Sequence, residues 1–571
     1  MTALMAFTAR LMPHLMLAPI LLPMLTAILI LMLNEKHQRL KLALNLGATL
    51  LGLAVSIVLL IWADRQGSHA PMDVYLMGNW PAPYGIVLAL DRLSALMLVL
   101  TSTVALASSV FAAARWHRAG VHFHPLFQLQ LMGLCGAFLT ADLFNLFVFF
   151  EIMLAASYGL LLHGSGRSRV QTGLHFIAIN LAASSLFLIG ASMLYGITGT
   201  LNMANLAQSI PHIADADRGL LHAAAGILAT AFLIKAAVWP LNFWLVPAYS
   251  AATAPVGALF AIMTKVGIYA LLRLWTLLFS SDAGASAHFG GLWLMGGGLL
   301  TMAFGAIGML GSQRLGQLAG FSAIVSSGTL LAAAGFGHSG ITAGLLYYLP
   351  SSTLAISALF LLTDLIERWR NNGATLAPYE QQDAAPFLNA ELVPSEKLKL
   401  DEDEEVLIGR VIPAAVAFLG LAFMACTLVI TGLPPLSGFV GKFAMLTALF
   451  NPLGLGDSGG QRIDAASWTL AALLIGSGLL GLVALTRAGI LHFWTAHERA
   501  APQLRVLEGL PIAGLLLACV GLTLQAGPVM RYTQAAADAL QTPSGYVNAV
   551  MSAVPVPSPL APYRDTVQEA P

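Results

Sequence analysis

The chain has 571 residues, of which 58% are hydrophobic and only 9% charged, and its formal net charge is zero. A soluble globular chain carries about 25% charged residues, so this composition, with a mean hydropathy of +0.79, is that of a polytopic membrane protein. Nucleic acid is excluded as a partner by the lack of a basic stretch paired with aromatics. No cofactor is expected: no glycine-rich phosphate loop follows a strand pattern, and Cys135, Cys426 and Cys519 sit in apolar segments without metal-ligand spacing.

Apolar runs of about 20 residues can each cross a bilayer as a helix. Fourteen such spans are predicted, at 15–33, 42–62, 88–114, 124–140, 142–162, 171–197, 219–249, 254–279, 290–310, 315–336, 340–367, 407–450, 468–490 and 508–527. The first is too long for a signal-peptide core and lacks a clear small-residue cleavage site. The seventh and twelfth are too long for one straight helix. Each has proline in its middle, Pro240 in one and Pro434-Pro435 in the other. Proline removes a backbone donor and clashes with the preceding turn. Freed backbone groups at membrane depth are tolerated where they line a polar cavity, so two broken helices are predicted.

Sixteen Lys and Arg residues fall in one set of alternate loops and six in the other. By the positive-inside rule the richer loops face the cytoplasm, which puts both termini outside. The longest hydrophilic stretch, 368–406, lies on the richer side and contains Asp401-Glu402-Asp403-Glu404-Glu405. Like-charge blocks usually stay disordered, so this reads as a solvated linker; a docking segment for a partner is the other reading.

Four charged residues stand inside the apolar spans: Glu151, Lys235, Lys265 and Lys442. A charge at the bilayer centre costs roughly 2.5–3.5 kcal/mol on insertion scales, and intramembrane ionisable groups mark ion pathways. Burial disfavours a lysine's charged form and a nearby carboxylate favours it. Glu151 with Lys235 would act as a switch, holding the lysine's proton when paired and releasing it when apart, with Lys265 and Lys442 as the next stations. Each has a blander reading. Glu151 would be a structural ion-pair partner, Lys265 would snorkel, and Lys235 and Lys442 would cap carbonyls freed at the breaks. Asp142 reads as a helix N-cap. Asp364 and Glu367 sit at a helix end and read as solvated. His175 and His338 read as hydrogen-bonded packing residues, although histidine suits proton transfer. Ser184, Ser185, Ser326, Ser327, Ser351 and Ser352 either hold water in a polar channel or bond to their own helix backbones.

Lys235 lies five residues before Pro240 and Lys442 seven after Pro435. Interrupted helices at corresponding places in two halves point to transporter repeats. Five spans separate the breaks, so the second copy would be inverted.

Three motifs make the chain recognisable: TADLFNLFVFFEIMLAASYGLLLHG, LIKAAVWPLNFWLVPAYSAATAPVGALFAIMTKVGIYALLR and GLPPLSGFVGKF. They resemble the proton-translocating membrane subunits shared by complex I and the multisubunit cation/proton antiporters. The form DLFNLFVFFE with SYGLLLHG is most similar to the D-type branch of the Mrp/Pha antiporter subunits. The resemblance covers about residues 15–552. It implies an all-α fold of about fourteen transmembrane helices with two inverted five-helix repeats, each with a broken helix. The division would be helices 1–3 in 1–123, a first repeat in 124–280, a second in 290–490 and a last helix with an outside tail in 507–571. It also implies a glutamate on the fifth helix, a lysine before the first break, and lysines on the eighth and twelfth, matched by Glu151, Lys235, Lys265 and Lys442. The implied function is proton translocation within a Na⁺ or K⁺/H⁺ antiporter of a bacterial inner membrane, with other antiporter subunits as partners supplying part of the cation site. The rival is a pumping subunit of a NADH:quinone oxidoreductase or membrane-bound hydrogenase. One departure stands out. The resemblance implies a histidine, present in many relatives, after the Tyr-Tyr-Leu of the eleventh helix, where this chain reads LYYLPSSTL, with Pro350 and Ser351. A bridge through water, or a different kink, is expected there.

Overall fold

The computed structural model describes residues 12–65, 72–120, 122–164, 166–372, 413–451, 464–494, 502 and 504–556. The acidic run 401–405 and most of the linker 368–406 lie outside the described residues. In chain order come α1 (Ala18–Met32), α2 (Gln38–Arg65), β1 (Asp73–Leu76), β2 (Val87–Leu90), α3 (Arg92–Ala114), α4 (Phe123–Leu139), α5 (Leu143–Leu161), α6 (Arg167–Thr198) and the short α7 (Met203–Ser209). Then follow α8 (Asp215–Lys235), α9 (Leu245–Ala251), α10 (Ala254–Leu278), α11 (Gly291–Gly311), α12 (Leu315–Gly335) and α13 (Ser339–Asn372). The chain closes with α14 (Ala414–Thr431), α15 (Ser437–Phe450), α16 (Ala465–Gly489), α17 (Val506–Leu524), α18 (Ala526–Gln541) and α19 (Pro543–Met551).

Among the described residues, twelve helices are long and apolar enough to cross a membrane; α1, α4 and α15 are shorter apolar helices. Large apolar side chains such as Leu29, Leu51, Leu174, Trp293, Ile307 and Ile475 remain exposed on the outer helices. That is expected where lipid rather than water is the solvent. Two features were not anticipated. The connection before α3 is an antiparallel hairpin, with Asp73 opposite Leu90. The end of the chain folds back as α18 and α19: the Tyr532 hydroxyl donates to the Arg92 carbonyl, and Asn79 and Val556 exchange two hydrogen bonds.

Both predicted breaks are present. α8 ends at Lys235. The Trp239 N–H, which a continuous helix would have used, donates to the Thr301 hydroxyl of α11 at 2.9 Å, and the Ile234 carbonyl accepts from the Trp244 indole at 3.2 Å. The partners demanded by buried backbone groups thus come from neighbouring side chains. α14 ends at Gly432, whose φ of 77° is the left-handed conformation glycine supplies at helix C-termini. The Leu433 N–H reaches back to the Leu428 carbonyl, and Pro434 and Pro435, having no N–H, prevent the helix from continuing before Ser437.

α10 and α13 form the centre, buried on every side, as expected of helices apolar all round. α13 packs against α10, α12, α14, α15, α17 and α18, and runs unbroken through Pro350. Backbones meet where side chains are missing. A Cβ on Gly267 of α10 would stand 2.8 Å from the Ala236 nitrogen at the first break, and one on Gly441 of α15 would stand 2.9 Å from the Tyr348 Cα. Such close approaches give membrane helices their contact energy, because lipid tails are as apolar as the helices themselves.

Two residues differ from the sequence reading. Lys41, counted in a loop, is buried on α2 at 4% exposure. Asp364, read as solvated, pairs with Arg368 at 3.2 Å, and Arg368 in turn holds the buried Glu508 of α17 at 2.8 Å. One arginine shared by two carboxylates joins α13, which leads into the long linker, to α17 near the end of the described chain.

Candidate functional site

The first cluster lies between α5, α6 and α8. Glu151 is half-buried on α5, and its carboxylate accepts a short hydrogen bond from the Ser184 hydroxyl of α6. Lys235, the last residue of α8, is 4% exposed. Its ammonium lies 5.3 Å from the centroid of the Phe150 ring, within cation–π range. Among the described residues it has no protein hydrogen-bond partner and no ion pair with Glu151. Phe150 in turn packs edge-on and tilted against Phe187 and Phe232, the three ring centroids lying 5.2–6.0 Å apart. The carboxylate and the lysine are therefore neighbours held by different partners. The carbonyl-capping reading of Lys235 does not describe this arrangement.

The second cluster surrounds Lys265, fully buried at mid-α10. It does not snorkel. Its Nζ donates to Ser326 Oγ at 2.9 Å and lies 3.5 Å from Ser327 Oγ, both on α12. Ser326 then donates to Ser352 of α13 at 2.9 Å. A seryl pair in the middle of one span thus solvates a charge presented by another.

The third cluster sits at the second break. Lys442 is 6% exposed on α15, and its Nζ donates to the Thr431 carbonyl at 2.8 Å. Helical side chains lean toward the N-terminus, which carries this ammonium back to the break. The capping reading therefore describes Lys442 as it stands. Ser351 of α13 and Ser437, at the start of α15, share a hydrogen bond of 2.8 Å.

The remaining candidates divide. Asp142 caps α5, accepting from the Asn145 N–H at 2.8 Å. Ser185 bonds to its own helix through the Leu181 carbonyl. His175 is exposed and bonded to Gln171 on its own helix, and His338 is exposed just before α13, so neither joins the buried lysines. Pro240 lies at the first break and Pro434 and Pro435 at the second. Phe150, Thr431 and Ser437 were not singled out from sequence. Of these only Ser437 carried a signal, as the hydroxyl directly after the Pro-Pro-Leu interruption. A further buried pair, Asp91 with Arg273 at 2.7 Å, pins the start of α3 to the end of α10.

Residues 140–390 match the family model described as "NADH:quinone oxidoreductase/Mrp antiporter, TM". The chain is 52% identical over 542 residues to the D-type subunit of a probable K⁺/H⁺ antiporter from Rhizobium meliloti (strain 1021), covering 95% of this chain and 98% of that one. It is 32% identical over 546 residues to the D-type subunit of the Na⁺/H⁺ antiporter from Alkalihalophilus pseudofirmus, covering 95% and 100%. A chain from the structure of the Mrp complex of Dietzia sp. DQ12-45-1b superposes with a TM-score of 0.77 at 24% identity, covering 94% and 99%, which is a likeness of fold.

Proposed function

The chain belongs to the family of D-type subunits of multisubunit K⁺/H⁺ and Na⁺/H⁺ antiporters, and on that premise we propose that it carries protons for the exchange in a bacterial inner membrane. The observation that carries the reading is one set of side chains: Lys235, Lys265 and Lys442, each at most 6% exposed, together with Glu151. Placing such groups at membrane depth is costly, and transport is the usual reason.

In this reading Glu151 controls Lys235. Ser184 holds the carboxylate in the parted position of the switch. When the carboxylate turns from Ser184 to Lys235, their attraction retains the lysine's proton; when it turns back, the proton is free to move on to Lys265 and then Lys442. The two broken helices belong to two inverted repeats, 124–280 and 290–490, preceded by 1–123 and followed by 507–571. The side rich in Lys and Arg faces the cytoplasm and both termini lie outside. The cation is Na⁺ or K⁺, and the name of the 52% identical relative makes K⁺ the first to try. Partner subunits complete the cation site. Each net charge moved draws about 2.3 kcal/mol per 100 mV from the membrane potential, so an electrogenic exchange would use potential as well as ΔpH.

The test is ΔpH collapse in inside-out vesicles holding the whole complex. Collapse on adding K⁺ or Na⁺ that is lost in Glu151→Gln supports the reading and identifies the ion. No response to either ion, with acidification driven by NADH and lost in the same variant, would replace it with the redox-pump reading.

A further inference from the structure

The geometry points to a proton-conducting chain of four serine hydroxyls, Ser326, Ser352, Ser351 and Ser437, joining Lys265 to Lys442 through the body of α13. The inference rests on the lysine relay proposed above and concerns the segment that relay leaves undescribed.

Three of its contacts are hydrogen bonds. Lys265 donates to Ser326 at 2.9 Å, Ser326 donates to Ser352 at 2.9 Å, and Ser351 and Ser437 are 2.8 Å apart. All four serines are at most 1% exposed. Ser351 and Ser352 are consecutive, so their side chains leave α13 in directions about 100° apart. One faces α12 and the first lysine, the other α15 and the second. A helix that would otherwise separate the two lysines is pierced by two hydroxyls. Ser437 opens α15, and the lean of helical side chains brings the Lys442 ammonium back to the same end, where it meets the Thr431 carbonyl.

Serine suits this place because a hydroxyl donates one hydrogen bond and accepts two, so it takes a proton on one side as it gives one up on the other. The Lys265 N–H bond breaks as a new Ser326 O–H bond forms. The original Ser326 proton passes to Ser352, and that of Ser352 passes onward. A water molecule carries the proton across the turn from Ser352 to Ser351 and again from Ser437 to Lys442. Lys265 ends as a neutral amine and Lys442, having first lost its own proton, as an ammonium. No hydroxyl changes its net charge. Ser352 at present donates to the Leu349 carbonyl at 3.2 Å, and it turns away from that carbonyl to complete the path.

The chain gives the Pro350-Ser351-Ser352 stretch of LYYLPSSTL a role. Here the step is made by neutral hydroxyls, with the buried Tyr348 phenol beside Ser326 and Ser352 and the Cys519 thiol 3.8 Å from the Ser351 carbonyl.

The test uses vesicles holding the whole complex, with K⁺- and Na⁺-driven exchange followed by a pH dye. Ser326→Ala/Ser352→Ala and Ser351→Ala/Ser437→Ala are each expected to lower the maximal rate by about tenfold or more, as loss of a proton-transfer group does. The half-saturating cation concentration should not change, and the complex should remain intact on a native gel. Ser326→Thr and Ser437→Thr, which keep the hydroxyl, should keep the rate. Lys265→Ala is the comparator. Rates within about twofold of wild type in both double variants, with Lys265→Ala inactive, would overturn the hydroxyl chain and leave the lysine relay standing. A wild-type rate in Lys265→Ala would instead remove the relay. If a double variant does not assemble, Ser352→Ala and Ser437→Ala, each lacking one oxygen, decide by the same criteria.

Discussion

At the scale of single residues, Glu151 and Lys235 are set apart by what holds each of them. The carboxylate has a hydroxyl from α6, and the ammonium has an aromatic face beside it. A hydrogen bond to a charged group contributes about 1.5–3 kcal/mol and a desolvated cation–π contact about 2 kcal/mol, so the two hold with similar strength and neither locks the pair. Glu151→Gln and Lys235→Ala are expected to abolish exchange while the protein stays in its complex. Ser184→Ala, which frees the carboxylate without removing it, should slow exchange only in part. Vesicle assays beside native gels check all three, and wild-type exchange in Glu151→Gln and Lys235→Ala together would remove the switch. The charged residues were legible in the sequence because a charge in an apolar run violates solvation wherever it occurs. Their partners were not. Ser184 and Ser185 are adjacent and chemically identical, yet one reaches Glu151 and the other its own helix. Only the rotation of α6 against α5 decides which.

At the scale of elements, both helix breaks were legible because each proline interruption falls in a run too long for one straight helix; proline alone does not decide, since α13 runs unbroken through Pro350. The close contacts were less so. Gly267 looks like any glycine in an apolar helix, yet it is where the backbone of the first break rests on α10, two residues from Lys265. Gly267→Val is expected to push the break away and cost about 1–3 kcal/mol through overpacking. The readout is a lower melting temperature of the complex together with slower exchange. Unchanged melting and exchange would mean that the contact bears no strain. The junction of α3, α4 and α5 carries a pH effect. His117 and His163 are buried there outside the spans, and burial lowers both pKa values below 6.5, with Arg118 and Arg169 adding repulsion. The backbone carbonyls of Ala112 and Trp116 oppose the shift without cancelling it, and His124 lies against His117. As pH falls through about 6.5 the unfolded chain takes up these protons first, so stability is lost on acidification. Melting should therefore come earlier at about pH 5.5 than at about pH 7.5, and His117→Gln/His163→Gln should reduce the difference.

At the scale of the whole molecule, the all-helical membrane fold was legible from composition and run length. The hairpin β1–β2 and the returning helices α18 and α19 were not, because their residues are neither apolar enough for lipid nor patterned strongly enough to stand out. Arg368, held by Asp364 and Glu508, already ties α13 to α17, so the helix leading into the long linker is joined to one beyond it without the linker. Deleting Asp401–Glu405 is accordingly expected to leave both exchange and assembly near wild type; loss of the assembled complex on a native gel would make that run a docking segment.

The row of hydroxyls through α13 has a consequence for leakage. Each passage leaves every hydroxyl pointing the opposite way, and no second proton follows until all of them have rotated back. Such a path behaves as a turnstile and not as an open pipe. It admits one passenger per reset, so a steep gradient on one side cannot force an uncounted stream, and the books between proton and cation stay balanced even when the lysines at both ends are loaded.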